Sequence, residues 1–333
     1  MTRVLPSREF ARDADDVSST LDGHPATSLP GIVAALRAGR DTWRERDSGR
    51  RHASAFPSRA AAATIVESLA AALYPRRLGQ FDGAARDEDR FVAERVAAGL
   101  TLLEREIGRE LCYWQAESTA EFPPEHASII AELFAGTLPD IRAQVDDDVE
   151  AAFLSDPAAR STDEILICYP GAIASLYHRI AHQLHLLGAP IAARLISALG
   201  NERTGIDIHP GAAIGRSFFI NHGTGVVIGE TAVVGDRVRI YQHVTLGART
   251  APGAARRHVR AGTRRHPIVG DDVVIYAGAT ILGPVSIGSR SIVGGNVWLL
   301  TDVAPDSIAV QPEARRLHAS AADDLRGALH EAA

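Results

Sequence analysis

The chain has 333 residues, a net charge of -6 and a hydrophobic fraction of 46%. That length allows two domains, and the apolar content is ample for a core. The acidic balance gives no reason to expect binding to nucleic acid or to an anionic membrane surface. Because the sequence contains no lysine, a side-chain contact to a phosphate has to come from arginine or histidine.

The first residues and the cysteines indicate the compartment. The start, Met1 to Pro6, lacks the apolar stretch of a secretory signal, and no apolar run is long enough to span a bilayer. Cys112 and Cys168 are far apart and lack the spacing of a metal site, so we expect buried, reduced thiols. Together these features predict a cytoplasmic protein.

The first part of the chain is helical in pattern. Residues 1–60 predict a weakly ordered leader with one short helix after Pro30. Residues 61–203 repeat apolar side chains at helical spacing and predict an all-helical domain. One helix of this domain carries three histidines at helical spacing. Without a carboxylate or cysteine ligand nearby, we expect them to pack against the protein or face solvent rather than bind a metal: His178, His182 and His185.

A different period begins near residue 204. Aliphatic residues follow one another at a constant step of six, which fits neither the helical period of about 3.6 nor an alternating strand. This step predicts a parallel β-helix of hexapeptide repeats over residues 204–310, in which three short strands and three turns form one triangular coil. The clearest run consists of Val269, Ile275, Ile281, Ile287, Val293 and Leu299.

The first interruption of this period contains a histidine. The step between Ile220 and Ile228 is two residues too long, and the stretch holds His222 followed by Gly223. Interruptions of a solenoid usually form loops on its binding face. Histidine is also the side chain best suited to take up a proton near neutral pH. His222 is therefore the leading candidate for a general base.

The second interruption lies between Leu246 and Val269 and is longer. It contains an arginine-rich excursion at residues 249–264, followed by an Arg-His-Pro sequence. Residues 311–333 follow the last repeat as a C-terminal tail. We expect the catalytic and binding residues at both interruptions, because regular repeats give way to loops there.

Several blocks of this sequence resemble serine O-acetyltransferases, in particular the bacterial subgroup with an extended N-terminus. The resemblance covers roughly residues 90–310 and implies a left-handed β-helix after the helical domain, an α+β fold. It implies acetyl transfer to the hydroxyl of L-serine, a step of cysteine biosynthesis. The blocks are 156–158, 177–182, 207–212, 221–231, 244–247 and 265–267.

Acetyl transfer to an alcohol requires removal of the hydroxyl proton during attack, which is the role predicted for His222. The resemblance gives Asp207 the role of holding the imidazole, and Glu230 is a further candidate to assist. Direct attack within a complex of both substrates is expected, since no cysteine or serine is suitably placed as an acyl carrier.

An amino-acid acceptor needs a cation for its carboxylate and an anion for its ammonium group. Arg265 suits the first and Asp156 the second, while His266 suits the carboxylate or the hydroxyl. The resemblance places all three at the serine pocket. Asn221 stands where the family usually has aspartate, and this loss of charge puts exclusive use of serine in doubt.

The resemblance implies acetyl-CoA as donor, with its pantetheine arm against small residues of the coils. Ala248, Ala277 and Gly295 occupy the matching positions, and arginines of 249–264 are candidates to contact the nucleotide phosphates. No metal is expected. The family assembles as trimers or pairs of trimers, so at least a homotrimer is expected. It also binds O-acetylserine sulfhydrylase through a C-terminal isoleucine, which this sequence lacks, so that complex is not expected.

Three other functions fit parts of the pattern. One is an acetyltransferase for another hydroxylated acceptor. A second is a zinc enzyme like the gamma-class carbonic anhydrases, which would enlist His222, His243 and His266. A third is a non-catalytic scaffold, which would not need this combination of residues at the interruptions.

Overall fold

The computed structural model describes residues 28–46, 56–117, 121–249 and 263–312. These fall into two compact units. The smaller one contains helix α1, Leu29–Arg46, whose apolar side chains are exposed to a large extent. Parts of the predicted leader, most of the arginine-rich excursion and nearly all of the predicted tail lie outside the described residues.

Most of the described chain belongs to the larger unit, which begins with helices. These are α2 (Arg59–Leu73), α3 (Ala85–Glu117, in this unit up to residue 112), α4 (His126–Ser155), α5 (Thr162–Cys168), α6 (Pro170–Leu186) and α7 (Pro190–Thr204). They share one core, whose largest fully buried side chains include Phe134, Ile65, Leu103, Ile141 and Ile180. The described helices include none long and apolar enough to cross a bilayer.

Local sequence signals set the ends of several helices. The hydroxyls of Ser58 and Ser161 accept hydrogen bonds from backbone N–H groups in the first turns of α2 and α5. Helices α6 and α7 instead begin at Pro170 and Pro190, where the absence of an N–H costs nothing. Gly205, with φ of 70°, ends α7 in a left-handed conformation and leads into the first coil.

The remaining described residues form fourteen short strands in three parallel sheets. Sheet A contains β1 (Asp207–Ile208), β4 (Val227–Ile228), β7 (Thr245–Gly247), β10 (Thr280–Leu282) and β13 (Trp298–Leu299). Sheet B contains β2 (Ala213–Ile214), β5 (Val233–Val234), β8 (Ile268–Val269) and β11 (Ser286–Ile287). Sheet C contains β3 (Phe219–Ile220), β6 (Arg239–Ile240), β9 (Val274–Ile275), β12 (Ile292–Val293) and β14 (Ile308–Ala309).

From β1 to β13, consecutive strands pass from sheet A to B to C, so each coil has three turns. We call them corner AB, corner BC and corner CA, after the sheets that they join. Equivalent residues stack one coil above another; Ile208 pairs with Ile228, and Ile228 with Leu246. Such aliphatic side chains point inward and are almost completely buried, which is why a step of six persists in the sequence.

Corner BC carries a column of alternating charges. Arg237, Asp272, Arg290 and Asp306 occupy equivalent positions in successive coils, each with a left-handed φ between 56° and 62°. Arg237 donates two hydrogen bonds to Asp272, at 2.7 and 2.9 Å, and Arg290 donates two to Asp306, at 2.6 and 2.7 Å. These exposed pairs tie neighbouring coils together.

A buried ion pair joins the helices to the first coil. Arg179 on α6 contacts both carboxylate oxygens of Asp148 on α4, each at 3.1 Å, and donates a further hydrogen bond to the carbonyl of Ile214 at 2.6 Å. Asp148 also accepts the backbone N–H of Phe218 at 2.8 Å. Since both charged side chains are at least 95% buried, this network fixes corner BC against two helices.

The prediction of buried thiols is wrong. Cys112 and Cys168 are both free and exposed. Cys112 follows the buried Leu111 on α3 and points away from the core, and Cys168 is the last residue of α5. Their distance in sequence and lack of metal spacing gave no information about which side of a helix each would occupy.

Candidate active site

His222 lies in the longest turn of corner CA. Six residues, 221–226, join β3 to β4, whereas four residues, 241–244, make the same connection one coil later. His222 and Gly223 have left-handed φ values of 58° and 93°. A Cβ atom at Gly223 would lie 2.4 Å from Cδ1 of Ile206, so this tight turn requires glycine. The enlarged turn leaves His222 exposed and accessible to a substrate.

Asp156 lies close enough to His222 for their charges to interact. It follows the last residue of α4, and its carboxylate accepts hydrogen bonds from the Ala158 N–H at 2.9 Å and the Tyr169 hydroxyl at 2.8 Å. These two bonds, together with the charge of a protonated His222, lower the pKa of Asp156. The same contact raises the pKa of Tyr169 to about 12. The ionised carboxylate of Asp156 and the imidazole of His222 thus lie in the same site of one chain.

Asn221 and Asp207 lie on either side of the enlarged turn. Asn221 directly follows β3, is partly buried and donates its backbone N–H to Ile240 in the next coil at 2.9 Å. Asp207 is the first residue of β1 and pairs with Val227. Within the described part of the chain, no hydrogen bond or ion pair connects the Asp207 carboxylate with His222. The predicted dyad therefore requires a movement of one of the two side chains.

Arg265 and Glu230 lie at corner AB, away from the turn of His222. They form an ion pair between the guanidinium and the carboxylate. Arg265 was predicted to bind the carboxylate of the acceptor. Its charge is already neutralised here by Glu230, the predicted assisting acid. The structure brings Glu230 together with Arg265, and it does not bring Glu230 to the candidate base of the same chain.

His266 is held beneath the same corner. Its Nδ1 accepts the backbone N–H of Thr231 at 3.1 Å and lies 2.8 Å from the hydroxyl of that residue. Because a backbone amide only donates, the proton of the neutral ring lies on Nε2. Burial lowers the pKa of His266, and the nearby Arg265 lowers it further. A Cβ at Gly229 would lie 2.0 Å from the ring, so only glycine fits below it.

The small residues predicted for the donor divide between two corners. Ala277 and Gly295 lie in successive coils at corner CA, where the N–H of Asn296 donates to the carbonyl of Ala277 at 2.9 Å. Ala248 directly follows β7 and lies at corner AB. Ala277 and Gly295 thus form a short strip of small residues at the corner that holds His222, next to the stacked rings of Tyr241 and Tyr276.

Two contributing residues were not predicted from the sequence. Tyr169 orients Asp156, and Thr231 orients both Arg265 and His266 through its hydroxyl, which accepts their backbone N–H groups at 3.0 and 3.2 Å. Tyr169 precedes a helix and lies outside the hexapeptide repeats, so no periodicity marks it. Thr231 belongs to the matched 221–231 block, which is the one signal that pointed to it.

The histidines of the zinc alternative do not meet within one chain. His222 and His243 lie at corner CA and His266 lies at corner AB. Among the described residues, no group of three or more His, Cys, Asp or Glu side chains is arranged to hold a metal ion.

Several known proteins are similar to this chain in sequence or in fold. Residues 266–300 match a family model described as bacterial transferase hexapeptide (six repeats). The chain is 48% identical over 265 residues to a plasmid-encoded serine acetyltransferase of Synechococcus elongatus, a match that covers 78% of this chain and 83% of that relative. The chain belongs to the serine acetyltransferase family.

Two further members of the serine acetyltransferase family support this assignment. The enzyme of Mycobacterium tuberculosis is 47% identical over 49% of this chain and 67% of its own length. A crystal structure of serine acetyltransferase isoform 3 of Entamoeba histolytica, in complex with cysteine, superimposes with a TM-score of 0.65 at 33% identity, over 79% of this chain and 87% of that one. The predicted acyltransferase class, and the α+β fold of helices followed by a left-handed parallel β-helix, are confirmed.

Histidines at the joint between α6 and corner AB predict sensitivity to acid. His178 is 3% exposed with no hydrogen-bond partner among the described residues, and burial lowers its pKa. Burial also lowers the pKa of His182, and that of His209 to about 4. These groups bind protons more weakly when folded, so their stabilising effect is present above about pH 6.5 and is lost as the pH falls towards 4.

We expect the free energy of unfolding to decrease from pH 6.5 to 5 by up to about 1.4 kcal/mol per pH unit for each such histidine. Urea unfolding at several pH values measures this slope. His178→Leu should reduce the slope by the contribution of one histidine, because leucine cannot take up a proton in the unfolded chain. Equal slopes in wild type and His178→Leu would contradict the assignment.

Proposed function

We propose that the chain transfers the acetyl group of acetyl-CoA to the hydroxyl of L-serine, giving O-acetylserine for cysteine biosynthesis. The observation that carries this proposal is the exposed His222 beside the ionised Asp156, in a chain of the serine acetyltransferase family. Asp156 suits the ammonium group of an amino acid, and His222 suits the proton of its hydroxyl.

The reaction begins with both substrates bound. The imidazole of His222 takes the hydroxyl proton while the serine oxygen attacks the thioester carbonyl carbon. The tetrahedral intermediate then breaks its carbon–sulfur bond, and the protonated imidazole returns the proton to the leaving thiolate. Asp207 would stabilise the imidazolium once its carboxylate reaches the second ring nitrogen. The rest of the rate enhancement comes largely from holding the two substrates together.

The positions of Arg265, Glu230 and His266 support a site shared between copies of the chain. They lie at corner AB, while His222 and the strip of Ala277 and Gly295 lie at corner CA. A closed ring of three copies brings corner AB of one copy against corner CA of the next. In such a trimer Arg265 and His266 reach the acceptor carboxylate from the neighbouring copy, and the pantetheine arm lies in the groove between them.

We propose that residues 61–203 form a helical domain, which joins two trimers into a hexamer, and that residues 204–310 form the catalytic domain. We also propose a cytoplasmic location. Ala248 and the arginines of 249–264 remain candidates for contacts to the donor, although most of that excursion lies outside the described residues.

The test is release of free thiol from acetyl-CoA in the presence of L-serine, with O-acetylserine identified by mass spectrometry. L-threonine and L-homoserine as acceptors test the alternative of another hydroxylated substrate, to which Asn221 is relevant. Stoichiometric zinc with carbon dioxide hydration would instead support the carbonic anhydrase alternative. Absence of serine-dependent thiol release from folded, trimeric protein would overturn the proposal.

Asp156→Asn is expected to raise the KM for L-serine about 10- to 100-fold with a smaller effect on kcat. The substitution keeps the shape and the oxygen that accepts from the Ala158 N–H, and its amide nitrogen can donate to the Tyr169 hydroxyl, but it removes the charge that binds the ammonium group. A charge-assisted hydrogen bond contributes about 1.5–3 kcal/mol. Steady-state kinetics at saturating acetyl-CoA measure this. An unchanged KM for L-serine would show that the ammonium group binds elsewhere.

A further inference from the structure

Two helix ends meet the strand that leads into the turn of His222. A Cβ atom at Gly171, in the first turn of α6, would lie 2.2 Å from the carbonyl oxygen of Ile220, the last residue of β3. The absence of a side chain therefore lets α6 begin directly against this strand. Helix α4 contacts β3 as well. The packing thus brings Tyr169, which precedes α6, and Asp156, which follows α4, to the segment that carries His222.

The phenol of Tyr169 bonds directly to the carboxylate of Asp156. The two oxygens lie 2.8 Å apart, and an ionised carboxylate only accepts hydrogen bonds, so the single hydroxyl proton of Tyr169 lies between them. The phenol oxygen keeps its lone pairs, and no donor among the described residues occupies them. Tyr169 therefore presents an acceptor to the site and has no proton left to donate.

The pair of Tyr169 and Asp156 favours a cation with several N–H groups. A hydroxyl that donates to a carboxylate becomes a stronger acceptor, because hydrogen bonds in a chain polarise one another. Both side chains are half-buried, while His222 beside them is exposed. A ligand that enters at His222 and reaches Asp156 thus meets two acceptor oxygens that belong to different residues. A primary ammonium group supplies the matching charge and donors.

We propose that Tyr169 binds the ammonium group of the amino-acid acceptor together with Asp156, by accepting a second N–H at its phenol oxygen. This inference rests on the proposed function, in which Asp156 takes the first N–H. An ammonium group with three N–H donors satisfies both residues at once. One with a single N–H satisfies only Asp156, whose charge makes it the stronger acceptor. Tyr169 thereby makes the site specific for acceptors with a primary amine.

The test compares L-serine with N,N-dimethyl-L-serine, which keeps the hydroxyl, the carboxylate and the positive charge but has one N–H. Tyr169→Phe is expected to raise the KM for L-serine about 10-fold, the effect of losing a hydrogen bond to a charged group, and to change kcat less than about threefold. The inhibition constant of N,N-dimethyl-L-serine should change less than about twofold. Mass spectrometry of the O-acetylserine formed at saturating acetyl-CoA gives all three constants.

Tyr74→Phe is the matched control. The hydroxyl of Tyr74, directly after α2, also donates to a carboxylate, that of Asp146 on α4, at 2.8 Å. This variant loses the same kind of hydrogen bond at a position where no acceptor is proposed to bind. It should leave the KM for L-serine and the inhibition constant of N,N-dimethyl-L-serine unchanged.

Two results would overturn this inference alone. Losses of equal size for both compounds would show that Tyr169 acts only by orienting Asp156, and an unchanged KM for L-serine would show that Tyr169 has no part in binding. Either result leaves serine acetylation intact. Absence of serine-dependent O-acetylserine formation by the wild-type protein overturns the proposed function and this inference together.

Discussion

Replacing His222 with asparagine is expected to lower kcat for acetyl transfer to L-serine about 10²- to 10⁴-fold, because general-base assistance contributes a factor of this size. Asparagine is the suitable replacement, since it tolerates the left-handed φ of 58° at this position. Thiol release at saturating concentrations of both substrates measures the change. The melting temperature should remain near that of the wild type because the side chain is exposed.

His243→Asn provides the matched control. His243 is also exposed, has a φ of 59° and lies at the same corner one coil later. Its loss should leave kcat within about threefold of the wild type, because the assigned proton transfer does not use it. Near-normal turnover by the His222 variant, or an equal loss in both variants, would refute the assignment of the base.

Arg179→Met should lower the free energy of unfolding by about 3–5 kcal/mol. The substitution leaves the carboxylate of Asp148 buried without its cation, and it removes the donor to the carbonyl of Ile214. Chemical denaturation at neutral pH measures the loss. Unfolding is expected to separate the helices from the first coil, since this network connects them.

Two comparison variants make the measurement specific. Arg237→Met removes an exposed ion pair of corner BC and should cost less than about 1 kcal/mol, because water already solvates both charges. The double variant Arg179→Met with Asp148→Asn should recover part of the loss of Arg179→Met alone, since it no longer buries an unpaired charge. A loss for Arg179→Met as small as that for Arg237→Met would contradict a structural role of the buried pair.

The coil of the β-helix was predictable because its physical cause repeats. Each inward position, such as Ile228 or Leu246, meets an equivalent side chain in the next coil, so the requirement for an aliphatic residue recurs every six residues. The exposure of Cys112 and Cys168 had no such repeating cause. Their environment depends on which face of a single helix each occupies, and an isolated residue does not reveal that.

The site was predictable only in part. The break in the period identified the turn of His222, because two extra residues have no place in a regular coil. The same reasoning could not separate Arg265 from His222, since both adjoin interruptions but lie at different corners. Tyr169 carries no mark in the sequence, because it lies outside the hexapeptide repeats. Only the folded helices bring its hydroxyl to the carboxylate of Asp156.

The column of charges at corner BC restricts how many coils can be added to the solenoid or removed from it. Its signs alternate from coil to coil, from Arg237 through Asp272 and Arg290 to Asp306. Duplicating a single coil would place two arginines or two aspartates directly above each other, where like charges repel. Adding or removing two coils together would preserve the alternation, so this edge permits even changes in coil number more readily than odd ones.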